Sequence, residues 1–351
     1  LFSAPYQRIQ ILFNRLLFIG YWPYMMLNWC ITMFSLVKSV IHLKDSRRYP
    51  VTPGIVGQVI QILVVTTLAI SRLLFIELCD LAFEIISFLI NSVFSILAVA
   101  LGSGAAGALN MWYESDLDSI MTRTCLRPIP TGKVNKNQAL VFGITLSIFS
   151  VIALNFFANR ISASLLLFTI LFYVFVYTIW LKRSTPQNIV IGGAAGAFPP
   201  IIGWAVVTGN VGFESILMFA LIFIWTPPHF WSLALFMKSD YDIAKVPMLT
   251  VTNGRRSTRN HIFVYSILLA FVALSIGFSS LSGPIYLVVA LILNMQLVFA
   301  AFKLWSRSES DCMADNSLLE RKFFKFSLLY LFLHFGAIIV EAKTNIVWMT
   351  V

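Results

Sequence analysis

The sequence predicts an all-α, polytopic membrane protein with little mass outside the bilayer, and three observations carry that reading. Of its 351 residues, 59% are hydrophobic, only 11% are charged, and the mean hydropathy is +0.85. A soluble domain carries roughly 25% charged residues, because a folded surface in water needs them. Apolar runs of about 20 residues recur from end to end, each long enough to cross the ~30 Å hydrocarbon core as a helix. Together these exclude a soluble globular domain, a disordered chain and a disulfide scaffold. The four cysteines (Cys30, Cys79, Cys125, Cys312) are scattered, with neither a CxxC nor a disulfide pattern. No cleavable signal or Arg-rich, Ser-rich transit segment is expected at the start.

Taken in order, apolar helices are expected over 85–109, 138–158, 162–181, 188–208, 213–236, 262–281, 284–303 and 324–342. The first 84 residues hold one or two more, near 11–41 and 54–76, interrupted by Arg15 and Arg72. Residues 1–84 therefore stand apart as an N-terminal segment, and 85–351 form the membrane domain. The loops fix the orientation. Loops 110–137, 182–187, 237–261 and 303–325 carry sixteen Lys and Arg, whereas the short loops opposite carry only Arg160. Basic residues gather in cytoplasmic loops, which places the long loops in the cytoplasm and the C-terminus outside. The net charge of +10 has the same origin, so no nucleic-acid partner is expected.

Acidic residues are the informative scarcity. Between 85 and 308 there are only Glu114, Asp116, Asp118, Glu214, Asp240 and Asp242, and five of these form two clusters at cytoplasmic helix mouths. Asn110, Glu114 and Asp118 follow at i, i+4 and i+8, which lines them along one helix face, while Asp116 points elsewhere. Carboxylates and an amide oxygen suit a hard cation such as Mg²⁺. Two such clusters face to face, with Asp240 in the second, could hold metal that bridges to a diphosphate. Arg123, Arg127, Lys182 and Arg183 would bind the remaining phosphate oxygens. The plainer alternative is surface ion pairing at helix ends.

Other motifs weigh less. Gly102-Ser-Gly104-Ala-Ala-Gly107 matches a nucleotide-loop pattern but lies in a membrane helix, where small residues permit close packing. Gly192, Gly193 and Gly196 fit the same explanation. His229 stands next to Pro227-Pro228, a double proline expected to break its helix. Irregular backbone at membrane depth is tolerated where it lines a cavity, which makes His229 a site candidate.

The first cluster resembles the first metal motif of the UbiA-type intramembrane prenyltransferases. Tyr177-Thr-Ile-Trp-Leu-Lys182-Arg183, Asn188 through Pro200, Gly203-Trp204, Trp225-Thr-Pro-Pro-His229-Phe-Trp231 and Asp240 through Leu249 extend the likeness over about residues 95–255. The later motifs narrow it to the branch that farnesylates heme. That resemblance implies a bundle of about nine helices with a cavity open to the cytoplasm. It implies that Asn110, Glu114, Asp118 and Asp240 bind Mg²⁺ and diphosphate, and that Arg123, Arg127, Lys182 and Arg183 hold the diphosphate. Tyr177 and His229 are expected at the substrates, with His229 or nearby aromatics against the porphyrin. The implied reaction moves farnesyl from farnesyl diphosphate to a vinyl group of protoheme IX and adds water, giving heme O. Expected partners are those two substrates and the lipid bilayer, with a downstream heme-modifying enzyme left open.

Three positions depart from the family pattern. Residues 1–84 lack the early Lys-Pro-Arg motif, Glu114 replaces the usual Asp, and Lys245 replaces the usual Gly. The rival readings are another UbiA-type reaction on an aromatic ring or tetrapyrrole, and a transporter using intramembrane carboxylates. The bacterial inner membrane is the expected location, with the mitochondrial inner membrane as the alternative.

Overall fold

The structure, a computed structural model, describes the backbone of residues 53–344 and side chains from 79 to 343. The helix expected near 11–41 lies outside the described residues. The chain divides into two compact units, Leu1–Ser92 and Val93–Val351. In the first, the described backbone is helical throughout and includes the stretch expected near 54–76. This is the beginning of α1 (Pro53–Tyr113). Among the described residues every regular element is helical, and eight helical segments are long and apolar enough to span a bilayer. They are Cys79–Tyr113, Lys136–Phe157, Arg160–Ser184, Asn188–Thr208, Phe213–Phe236, Gly254–Gly277, Pro284–Ser306 and Leu318–Lys343. All eight sequence-predicted segments from 85 onward are recovered.

Local chemistry explains several boundaries. A short helix α2 (Ser115–Ile120) follows α1 directly. Asn135 caps α3 (Lys136–Phe157) in a reciprocal capping box with Gln138, which satisfies free N–H groups at the helix start. Asn159 accepts from the Ser162 amide at 2.9 Å to open α4 (Arg160–Leu171). The chain then continues as a π-helical stretch, Phe172–Leu181, and a last turn, Lys182–Ser184. Helices α5 (Asn188–Ala197) and α6 (Pro199–Thr208) together make the next span, which ends on Gly209 at φ +70°.

Helix α7 (Phe213–Phe236) corrects one expectation: it runs through Pro227 and Pro228 without a break. The prolines forfeit two backbone hydrogen bonds, but neighbouring helices pack on both flanks and both rings are buried. Beyond it come two short helices, α8 (Lys238–Ile243) and α9 (Leu249–Thr252), in a region the sequence reads as loop. Helix α10 (Gly254–Gly277) then starts eight residues earlier than hydropathy predicts, because its first two turns are polar. Helices α11 (Pro284–Ser306), α12 (Glu309–Ala314) and α13 (Leu318–Thr344) complete the chain.

The second unit has a large apolar core where α7, α10, α11 and α13 meet, around Leu221, Trp231, Ile262, Leu269, Tyr286 and Tyr330. A second core joins α1, α3, α4 and α6 through Ala98, Leu109, Leu154, Leu166 and Ile202. Their outer faces are apolar too: Ile144, Ile148, Ile152 and Phe156 lie exposed one turn apart along α3. Water would not tolerate so continuous an apolar surface, and lipid does. The chain is an integral membrane protein. Two basic residues counted as topology markers are structural: Arg259 and Arg307 flank the buried Glu320 carboxylate at 3.6 and 2.8 Å, tying α10 and the end of α11 to α13.

A small third core of Met121, Ile189, Ala234, Tyr241, Val246 and Met248 holds α2 and α8 over the helix ends. Lys245, beside it, has φ +51°, which explains why glycine is the usual family residue at this position. A side chain in that left-handed region costs roughly 1 kcal/mol. Lys245→Gly is therefore expected to raise stability by about 1 kcal/mol, measured by thermal unfolding in detergent.

Candidate active site

The first acidic cluster folds nearly as its spacing predicts. Helix α1 stops at Tyr113, yet the Glu114 amide still donates to the Asn110 carbonyl at 2.9 Å and the Asp118 amide to Glu114 at 2.8 Å. The i, i+4, i+8 register survives the break, and all three side chains are buried. Glu114 is 1% exposed, whereas the Asp116 side chain, off the face, is 59% exposed.

Each acid has a basic partner across the mouth. Lys182 donates to Glu114, and Arg127 donates to both oxygens of Asp118 at 2.9 and 2.8 Å. Arg183 grips Asp116 through two parallel hydrogen bonds of 3.0 and 2.8 Å and lies 5.1 Å over the Tyr113 ring. The Asn110 amide donates to the Thr178 hydroxyl at 3.2 Å. The second cluster is tied to the first by Thr122, whose hydroxyl donates to Asp240 at 3.0 Å. Arg123 turns to the Tyr241 hydroxyl, and burial pushes the Tyr241 phenol above its ordinary range. Four basic residues and four acidic ones thus gather at one mouth. His229 stands apart, with no described contact to this group.

The π-helical stretch explains how Tyr177 and Lys182 come to the site together. The Lys182 amide bonds back to the Tyr177 carbonyl, five residues away. Each residue there turns about 80° instead of 100°, so Tyr173, Tyr177 and Lys182 share a face. With α spacing, Lys182 would point away from Tyr173. The Lys182 ammonium lies 5.9 Å from the Tyr177 ring centre, and the Tyr173 and Tyr177 rings are 5.3 Å apart. Gly192 is required beneath them: a Cβ there would come within 2.1 Å of the Tyr177 ring.

Behind these residues lies a cavity of about 270 Å³. Its walls are Val99, Gly102, Ser103, Ala106 and Gly107 of α1, Leu166, Thr169, Ile170 and Tyr173 of the third span, and Ala195, Gly196, Pro199 and Ile202. This corrects the packing explanation for part of the glycine pattern. Gly102 does press on Leu166, and Gly193 on Thr226, but Gly107 and Gly196 have nothing within 4 Å of a built Cβ. Those two keep space open. Asn110 lies one turn beyond Ala106 and Gly107, so the same helix face leads from cavity to mouth.

Three groups outside the predicted set belong to the neighbourhood. Thr122 and Thr178 hold Asp240 and Asn110, and Asn188 donates to the Lys182 carbonyl at 3.4 Å. A polar Asn188 opening an apolar helix was the one readable signal; Thr122 in a turn and Thr178 in a membrane helix gave none. Three oxygens stay buried without a partner: Glu114 Oε1, Asp240 Oδ2 and Asn188 Oδ1. Such atoms are costly unless a donor or cation meets them. Among the described residues no three His, Cys, Asp or Glu side chains form a complete metal cage.

Burial separates the two kinds of pair. The Arg183 hydrogen bond holds the Asp116 carboxyl below its ordinary range, so this pair persists at neutral pH and is lost only as pH falls through that lowered value. It is exposed, and Asp116→Asn is expected to change stability by less than about 1 kcal/mol. Glu114→Gln leaves Lys182 facing a buried neutral group and is expected to cost about 3 kcal/mol. Thermal unfolding of the two variants in detergent checks the order.

A family model described as the UbiA prenyltransferase family matches residues 81–329. A protoheme IX farnesyltransferase of Ruegeria pomeroyi is 61% identical over 248 residues, covering 71% of this chain and 78% of the relative. Among solved structures, a digeranylgeranylglyceryl phosphate synthase superposes with TM-score 0.60 at 18% identity, over 73% of this chain and 87% of that one. A UbiA homolog of Archaeoglobus fulgidus, solved with GPP and Mg²⁺, gives 0.50 at 13% identity, over 69% and 87%. With a family match of that extent and a shared fold, the chain belongs to the UbiA prenyltransferase family.

Proposed function

We propose that this chain transfers farnesyl from farnesyl diphosphate to a vinyl group of protoheme IX, with addition of water, to give heme O and diphosphate. The observation that carries the prenyl-transfer half is the paired acid–base mouth above a largely apolar cavity kept open by Gly107 and Gly196. The acceptor follows from the name that relatives about 60% identical to this chain carry.

The residues divide the work. Asn110, Glu114, Asp118 and Asp240 would hold Mg²⁺, and the unpartnered oxygens of Glu114 and Asp240 fit that task. Bound there, Mg²⁺ supplies positive charge to the departing diphosphate. Lys182, Arg127, Arg183 and Arg123 take the remaining phosphate oxygens, after the first three leave their carboxylate partners. The bases stand at the partly exposed rim and the acids inside, so the rim can swing to an incoming anion while the acids stay fixed. The farnesyl chain lies in the cavity. As the allylic C–O bond breaks, the Tyr173 and Tyr177 rings face the developing cation and stabilise it through their π-faces. Exclusion of bulk water keeps that cation from early capture. The heme vinyl carbon then bonds to farnesyl, and water adds to the resulting heme cation with loss of a proton.

The basic-loop asymmetry supports a mouth on the cytoplasmic side of a bacterial inner membrane, where prenyl diphosphate is soluble enough to arrive. The test is product analysis. Membranes containing the chain receive heme b, farnesyl diphosphate and Mg²⁺, and extracted hemes are separated with mass detection. A heme heavier by farnesyl plus water is expected. Asp118→Asn and Asp240→Asn should each lower its yield at least 100-fold, and chelation of Mg²⁺ should abolish it. A product on an aromatic acid with heme untouched would overturn the acceptor.

A further inference from the structure

His229 is held in a way that the acid–base mouth does not explain. It sits in α7 about two turns before the helix ends at Phe236. Trp225 and Phe324 stack on its ring at 4.3 and 4.5 Å. Its Nδ1 lies 2.7 Å from the Ser327 hydroxyl of α13. Trp225 ties itself to the same residue, its indole N–H donating to the Ser327 carbonyl at 2.8 Å.

A hydroxyl has one proton to give. With the Ser327 proton directed to the Phe324 carbonyl, 2.7 Å away, the hydroxyl accepts from Nδ1, and in that tautomer Nδ1 carries the ring proton. In the neutral ring Nε2 then holds the lone pair, and among the described residues the one hydrogen bond of the His229 ring is at Nδ1. A neutral imidazole with Nδ1–H fixed by an acceptor and Nε2 free is the arrangement that ligates metals.

We propose that Ser327 is a positioning residue that holds His229 with Nε2 ready to coordinate the iron of the heme substrate. The inference rests on protoheme IX being the acceptor. The lone pair forms a coordinate bond to iron and no proton moves. Ligation would fix the porphyrin's height and tilt, and so bring one vinyl group to a set place.

The experiment titrates heme b into the purified full-length chain and reads the Soret band and the axial-ligand signature by resonance Raman spectroscopy. The wild type should show imidazole ligation. His229→Ala should lose it, and added imidazole should restore it. Ser327→Val should weaken heme binding about 10-fold or more, whereas the near-isosteric Ser327→Thr, which keeps the hydroxyl, should bind as the wild type does. Ser327→Ala provides a smaller replacement with the same expected loss, and size-exclusion profiles verify folding. A His229→Ala protein with the wild-type spectrum, or Ser327→Val titrating like Ser327→Thr, overturns the proposal. Heme farnesylation in wild-type membranes separates the two levels. Product formed without imidazole ligation overturns the ligation alone. Absence of both product and heme binding overturns the acceptor as well.

Discussion

Two carboxylates buried at the end of a membrane helix are the constraint on which the rest depends. Isolated in so dry a place, Glu114 and Asp118 would each cost several kcal/mol to keep ionised. The fold brings Lys182 and Arg127 against them. Much of the local architecture serves that pairing. The third span loosens into a π-helical stretch so that Lys182 reaches the face carrying Tyr173 and Tyr177. Thr178 accepts from Asn110, and Asn188 braces the backbone at Lys182.

The pairing also shapes the chemistry. With no substrate present, Glu114, Asp116 and Asp118 are each paired with a base, while Arg123 turns to the Tyr241 hydroxyl and Asp240 accepts from Thr122, so most of the charge at the mouth is balanced within it. In the proposed reaction, a prenyl diphosphate arriving with Mg²⁺ would exchange partners instead of burying new charge, since anion would meet base and cation would meet acid. Neither component alone can offer both exchanges. Such a site would favour the two arriving together.

The helices and the first acidic face were legible because both rest on simple periods. Twenty apolar residues mark a span, and i, i+4, i+8 marks a face that persisted even across the break at Glu114. Lys245 was legible as a departure, and its positive φ supplies the reason. Other features follow rules that a period of 3.6 does not contain. The π-helical register of 172–181 shifts every later side chain, and sequence spacing gives no sign of it. Pro227 and Pro228 read as a break because proline removes hydrogen bonds, but packing on both flanks holds α7 straight through. Gly107 and Gly196 look the same as packing glycines until the facing wall is known to be absent. Ser327 is one serine in an apolar helix, far along the chain from His229, and only folding brings them together.

The claim that the mouth works by partner exchange is tested most directly by calorimetric titration of the purified chain with farnesyl thiolodiphosphate, a slowly reacting analogue, with and without Mg²⁺. The account predicts strong synergy, the analogue binding at least 100-fold tighter in the presence of Mg²⁺, with Glu114→Gln and Asp118→Asn each removing most of that gain. Equal affinity with and without Mg²⁺ would contradict it, because the bases would then have been free to take the diphosphate unaided.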